Sequence, residues 1–127
     1  MAASRGVTTD DVSGCVIVTG MPGAGKTTIT SLVAQRMPRA AEIVRRIRAA
    51  TGLPVTCKIR SGWDAKSLNY LQMAGELFEA GCAALAVHPR TRDQGYSGNA
   101  DWSVIADLKR HFPDRPIIGN GDVKTPA

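Results

Sequence analysis

The sequence predicts an α/β fold in which about four parallel strands alternate with helices. Three observations carry this expectation. Short β-type runs recur at 15–19, 55–59, 83–87 and 116–118. Segments with helical periodicity fill the intervals between them. The last three runs each lead into charged or amide residues and a glycine turn: Lys58-Ile59-Arg60-Ser61-Gly62, His88 with the polar loop behind it, and Gly119-Asn120-Gly121. Three successive strands thereby place polar groups at one end of a sheet. In parallel α/β architectures that end binds ligands.

Taken in order, residues 1–13 are polar and read as a frayed lead-in. The strand candidate Cys15-Val16-Ile17-Val18-Thr19 runs directly into Gly20-Met21-Pro22-Gly23-Ala24-Gly25-Lys26-Thr27. This satisfies G-x-x-x-x-G-K-[ST] without a mismatch. Gly20, Gly23 and Gly25 let the backbone curl so that successive N–H groups face a phosphate chain. Lys26 would reach the outer phosphates, and the Thr27 hydroxyl would bind Mg²⁺. Thr28 lies in the opening turn of a helix whose N-terminus is itself an anion site. Ile29, Leu32 and Val33 share a face of that helix. Residues 14–39 therefore resemble the head of a small P-loop kinase or ATPase, with Mg-ATP or GTP as the implied ligand. For phosphoryl transfer one group is missing. No later strand is a clean apolar run capped by Asp, and Asp64 and Asp122 serve only if the pattern is stretched.

Pro38 interrupts the first helical segment, and a second runs over 40–51. Ile43, Val44, Ile47 and Ala50 lie on one face of it, with Arg45, Arg46 and Arg48 over the other. Gly52 and Pro54 stop it. After the strand at 55–59 a helix is expected over 67–80, with Leu68, Leu71, Gly75 and Phe78 along one side and Leu77 widening the buried surface. Gly81 ends it. The strand at 83–87 leads into the loop from His88 to Gly98. A loop this long and polar is more often functional than a bare connector. The plainer alternative is a solvated loop whose His88 caps its strand. Asp101 is a candidate N-cap for a helix reaching His111. Phe112-Pro113-Asp114 breaks that helix before the last strand.

Size and composition bound the rest. At 127 residues the chain is one ordinary domain, with 43% hydrophobic residues to build a core. The formal charge of +5, with arginines gathered between Arg36 and Arg60, suits phosphate-bearing partners, RNA among them. A solvated helix face explains the same arginines. Cys15, Cys57 and Cys82 are odd in number and show no C-x-x-C spacing. They read as buried thiols in a reducing compartment. No secretory h-region and no transmembrane-length apolar run is present, so the expected setting is cytoplasmic, with no membrane partner.

Three motifs in order, "VTCKIRSGWD", "LAVHPRTRDQGYSGNADW" and "PIIGNGD", resemble the middle of a tRNA-dihydrouridine synthase. That family is flavin enzymes built on a TIM barrel. The preceding "AEIVRRIRAATGLPV" fits as well, so the resemblance covers residues 40–127 and meets the P-loop-like segment near 37–41. The resemblance implies reduction of a uridine in tRNA by FMN, with NADPH as the reductant. It makes Lys58 and His88 flavin contacts, and it makes Arg90 and Arg92 candidates for the flavin phosphate or the RNA backbone. Asn120 and Gly121 would bring amide groups to the cofactor, and Arg60 joins Arg92 on the RNA side. A cation beside the flavin's N1/O2 edge stabilises the reduced ring.

Departures from the family pattern temper the implication. The N-x-G-C-P loop that carries the family's catalytic cysteine is not found; Ser13-Gly14-Cys15 lacks the proline and opens a strand. No catalytic residue is therefore assigned. The outer barrel strands and the helical tRNA-binding domain have no counterpart either, and a complete barrel needs ~200 residues or more. The expectation is a truncated dihydrouridine-synthase-like protein without full activity, in which a second copy could complete the sheet. Its alternatives are a P-loop ATP- or GTP-binding protein and a non-functional chimera.

Overall fold

The computed structural model describes residues 17–19 and 37–126, with only the backbone described at 17–19 and 37–39. Its elements run β1 (Ile17–Thr19), α1 (Met37–Thr51), β2 (Val55–Arg60), α2 (Tyr70–Glu79), β3 (Cys82–His88), α3 (Ser103–His111) and β4 (Ile117–Gly119). The strands form one sheet in the order β1-β2-β3-β4. β2, β3 and β4 are parallel. β1 pairs antiparallel to β2, with Ile17 opposite Lys58 and Thr19 opposite Thr56. The expected set of four parallel strands is therefore three, plus one antiparallel edge. A three-residue apolar run carries no direction in its periodicity, so its sense could not be read. The P-loop segment at 20–28 and Cys15 lie outside the described residues.

Burial alternates along the strands because successive side chains leave opposite faces. Val55, Cys57 and Ile59 of β2, with Leu85 and Val87 of β3, are buried against the helices. Val44, Leu77 and Leu108, one from each helix, are fully enclosed there. The crossovers from β2 to β3 and from β3 to β4 put α2 and α3 on this face, and Val44 of α1 is buried with them. Thr56, Lys58 and Arg60, with Ala84 and Ala86, stand on the other face and are only half-buried. Ile118 beside them is 56% exposed. Such a face fits the inner wall of a barrel segment better than a free two-layer sheet, since parallel sheets are normally covered on both sides.

Local chemistry sets the helix ends. The Gly52 N–H bonds the Arg48 carbonyl at 2.9 Å with φ +66°, the left-handed stop that glycine makes without strain. α1 buries Ala40, Ala41 and Val44 and rests Ile43 and Ile47 on the core, while Ala50 is exposed. α2 begins three residues later than the pattern suggests. Residues 61–69 are drawn into a turn in which Ser67 N–H bonds the Asp64 carbonyl and Asn69 N–H bonds that of Ser61. Leu68 thus falls outside the helix and is exposed, and the buried face consists of Met73, Ala74, Leu77 and Phe78. At Gly81 (φ +100°) the Arg48 guanidinium fills the space that a Cβ would occupy. α3 opens at Ser103, whose N–H bonds the Asp101 carboxylate at 3.1 Å. The expected capping group is therefore present, one residue ahead of Trp102 at the cap position. Cys57 and Cys82 are buried and free, as expected of them.

Candidate functional site

The parallel register aligns the carboxyl ends of β2, β3 and β4. Arg60 lies opposite His88, and Lys58 opposite Ala86. Pairing continues past β4, where the Asn120 N–H bonds the Val87 carbonyl at 3.0 Å. Lys58, Arg60 and His88 share the open face because each pair is two residues apart along its strand or directly opposed. Among the described residues Lys58 has no hydrogen-bond or ion-pair partner.

The loops behind the strands are stitched to one another. Ser61 N–H bonds the Arg90 carbonyl, Arg92 N–H that of Gly62, and Asp93 N–H that of Trp63. Arg60 donates Nη1 to the carbonyls of Thr91 and Gly95 at 2.9 and 2.8 Å, and its guanidinium stands 5.7 Å from the Tyr96 ring centroid. Arg92 is exposed, 5.8 Å from the Trp63 ring centroid. Tyr96 is 83% exposed, with its ring centroid 6.1 Å from that of His88.

Arg90 is buried, and its guanidinium is spent inside the loop. Nε donates to the Ser97 carbonyl at 3.2 Å and Nη2 to that of Gly98 at 2.6 Å. Nη2 also reaches both Asp122 oxygens at 2.9 and 3.0 Å, and Nη1 lies 3.2 Å from His88 Nε2. The Asp122 carboxylate further accepts the Ala100 N–H at 2.7 Å. That backbone donor, then Arg90, holds Asp122 below the usual carboxylate range. Burial lowers His88 from its ordinary value, helped by the cations Arg60, Arg90 and Lys58 and opposed by Asp122. His88 is therefore a neutral imidazole among cations.

Two further features mark this end of the sheet. Among the described residues the buried side-chain oxygen of Asn120 has no hydrogen-bond partner, and buried polar groups are normally paired. At Gly121 (φ +117°) a Cβ would fall 2.9 Å from the His88 ring, so only glycine allows this close approach. The Gly121 carbonyl is fixed by Trp102 Nε1 at 2.9 Å.

Asp122, Tyr96, Trp63 and Trp102 were not singled out from the sequence as site residues. From the sequence Asp122 is no more than a stand-in ligand for Mg²⁺. Gly119 and Gly121 before it mark a turn but not the arginine it binds. Asp64 accepts the Lys66 N–H in a surface turn. Among the described residues no cluster of His, Cys, Asp or Glu could hold a metal ion. Gly20, Gly23, Gly25, Lys26, Thr27 and Thr28 lie outside the described residues.

The sequence is similar to known proteins. Residues 26–127 match the family model described as dihydrouridine synthase (Dus). A probable tRNA-dihydrouridine synthase of Treponema pallidum (strain Nichols) is 37% identical over 114 residues, which is 84% of this chain and 34% of that protein. The tRNA-dihydrouridine synthase B of Shewanella oneidensis is 38% identical over 96 residues, covering 76% of this chain and 30% of the relative. A probable tRNA-dihydrouridine synthase of Mycobacterium tuberculosis (strain ATCC 25618 / H37Rv) reaches 48% over 79 residues, covering 61% and 20%. The chain thus spans between a fifth and about a third of the length of these relatives.

Proposed function

Since the chain belongs to the dihydrouridine synthase family, we propose that its open sheet face holds part of an FMN site serving reduction of uridine in tRNA. The observation that carries this reading is the convergence of Lys58, His88 and the unpartnered Asn120 oxygen at one end of three parallel strands. The donor set fits a flavin. A cation stands ready for the ring edge that becomes negative on reduction, and an acceptor awaits an N–H. Bound FMN would supply hydride to the uracil ring, with NADPH as the reductant.

The chain's own residues would bind and orient. Lys58, His88, Asn120 and Gly121 address the cofactor. Arg60 and Arg92 stand on the RNA side. Arg92 is the freer of these, resting on an exposed indole that could stack on a base. The open face would be closed by further barrel strands or by a second copy of the chain. A tRNA substrate would suit a cytoplasmic protein. No described helix is long and apolar enough to cross a membrane. The family match begins at residue 26, inside the glycine-rich stretch, and takes Lys26, Thr27 and Thr28 into the same domain. That favours one family over a fused nucleotide-binding head, so Mg-ATP stands second to FMN here.

Flavin fluorescence titration tests the reading on wild type, Lys58→Ala and His88→Ala. Saturable quenching is expected, weakened about tenfold or more by Lys58→Ala, which removes a charge-assisted contact worth ~1.5–3 kcal/mol, and by roughly two- to tenfold by His88→Ala, which removes a neutral one worth ~0.5–1.5 kcal/mol. Binding unaffected by both substitutions, or no binding by wild type, would refute it.

A further inference from the structure

We propose that Arg90 is a positioning residue: its guanidinium fixes the His88 imidazole as the tautomer with hydrogen on Nδ1, so that His88 meets its ligand as an Nδ1–H donor. The inference takes from the preceding section only that His88 faces a ligand. The tautomer itself follows from this chain alone.

A guanidinium carries five N–H donors, accepts nothing and does not lose its proton in proteins. The 3.2 Å contact between Arg90 Nη1 and His88 Nε2 can therefore be only N–H donating to a ring lone pair. Nε2 must be unprotonated, which leaves the ring hydrogen of neutral His88 on Nδ1. Turning the ring over would set a C–H against the guanidinium and forfeit the bond. Protonating it would aim one N–H at another.

Arg90 has no freedom to turn away. It is 5% exposed, and Ser97, Gly98 and Asp122 hold its Nε and Nη2 donors. Asp122 is in turn tied to the Ala100 N–H. Gly121 packs against the same edge, close enough that a Cβ on it would strike Cδ2 and Nε2. One edge of the imidazole is thus clamped between the β3 loop and the turn after β4. Among the described residues Nδ1 makes no hydrogen bond. The charged groups facing the ring are Lys58 and Arg60 from β2, Arg90 from its own loop and Asp122 from the turn after β4, with the Tyr96 ring nearby.

The experiment is long-range ¹⁵N–¹H correlation of the histidine rings from about pH 5 to 8, with His111→Gln to identify the only other histidine. Wild type should show protonated Nδ1 and unprotonated Nε2. Arg90→Met should revert to the Nε2–H form that free imidazole prefers, and its titration midpoint should rise by about half a unit or more, because a cation is lost while Asp122 remains. Arg90→Lys, an obligate donor, should restore the Nδ1–H form. A purely structural arginine would leave the tautomer unchanged. If Arg90→Met does not fold, Arg90→Met with Asp122→Asn removes the stranded carboxylate and asks the same question. Nε2–H in wild type, or Nδ1–H retained in folded Arg90→Met, overturns the proposal. Flavin titration of the same samples is a separate readout. A wild type with the Nδ1–H tautomer that ignores flavin would sink the proposed function and leave this inference standing.

Discussion

Gly121 stands so close to His88 that a Cβ placed on it would lie 2.9 Å from two atoms of the imidazole. Its φ of +117° is also a conformation that L side chains rarely adopt. Gly121→Ala should therefore combine backbone strain with overpacking, costing about 1–3 kcal/mol of stability. Urea denaturation of the variant checks the value. A midpoint equal to that of wild type would mean that the turn after β4 is loose enough to yield.

Acid should weaken the fold in two steps. His88 is held below its ordinary value of 6.5 by burial and by Arg60, Arg90 and Lys58. Between 6.5 and its lower folded value the unfolded chain binds the extra proton, so stability falls as pH drops through that window. Asp122 is held below 3.8 by the Ala100 N–H and Arg90, and Asp107 by Arg110 and Tyr70. Their contribution is present above 3.8 and lost as pH falls through their folded values. Urea midpoints measured from pH 8 to 3 should show both steps, and His88→Asn should erase the upper one alone.

The core between sheet and helices predicts its own failure. Leu85 is fully buried at the middle of β3, enclosed by both neighbouring strands and the helix layer. Leu85→Ala should cost about 2–5 kcal/mol, the transfer free energy of the lost atoms plus a cavity the strands cannot close. Thermal and urea unfolding measure it. A loss below ~1 kcal/mol would show that the site collapses freely.

The strand thiols should be chemically silent. Cys57 and Cys82 are each 1% exposed, and the hydrogen bond between them, then burial, pushes the Cys57 thiol far up. Cys82 Sγ donates to the Ala84 carbonyl at 3.0 Å. In a Cys15→Ser background, Ellman's reagent at pH 8 should modify both only as fast as the protein opens. Rapid labelling of native protein would contradict their enclosure.

Much of the site was legible because it is local in sequence. Lys58, His88 and Asn120 each follow a short apolar run, and a parallel sheet carries such strand ends to one edge. What connects them was not legible. Arg90 reads as a basic loop residue, and nothing in its neighbours tells whether the guanidinium faces out toward a phosphate or in toward Asp122, thirty-two residues away. Leu68 and Leu71 fit a helical period equally well, yet the turn at 61–69 keeps Leu68 out of the helix and exposed. The direction of β1 is likewise set by its hydrogen bonds with β2, which three residues cannot announce.

The Arg48 side chain seated over Gly81 has a bearing on how variants can be combined. That contact is at the amino ends of β2 and β3, whereas His88 and Arg60 close their carboxyl ends. With a rise of ~3.3 Å per residue, a strand of six or seven residues separates the two poles by roughly 16–20 Å. Free-energy changes at positions more than ~7–10 Å apart without shared partners usually add. Substitutions that tighten the seat of Arg48 should therefore offset destabilising changes around His88 without altering what those changes do to ligand binding. A stabilised background of that kind would keep even the Gly121 and Arg90 variants folded long enough to be titrated.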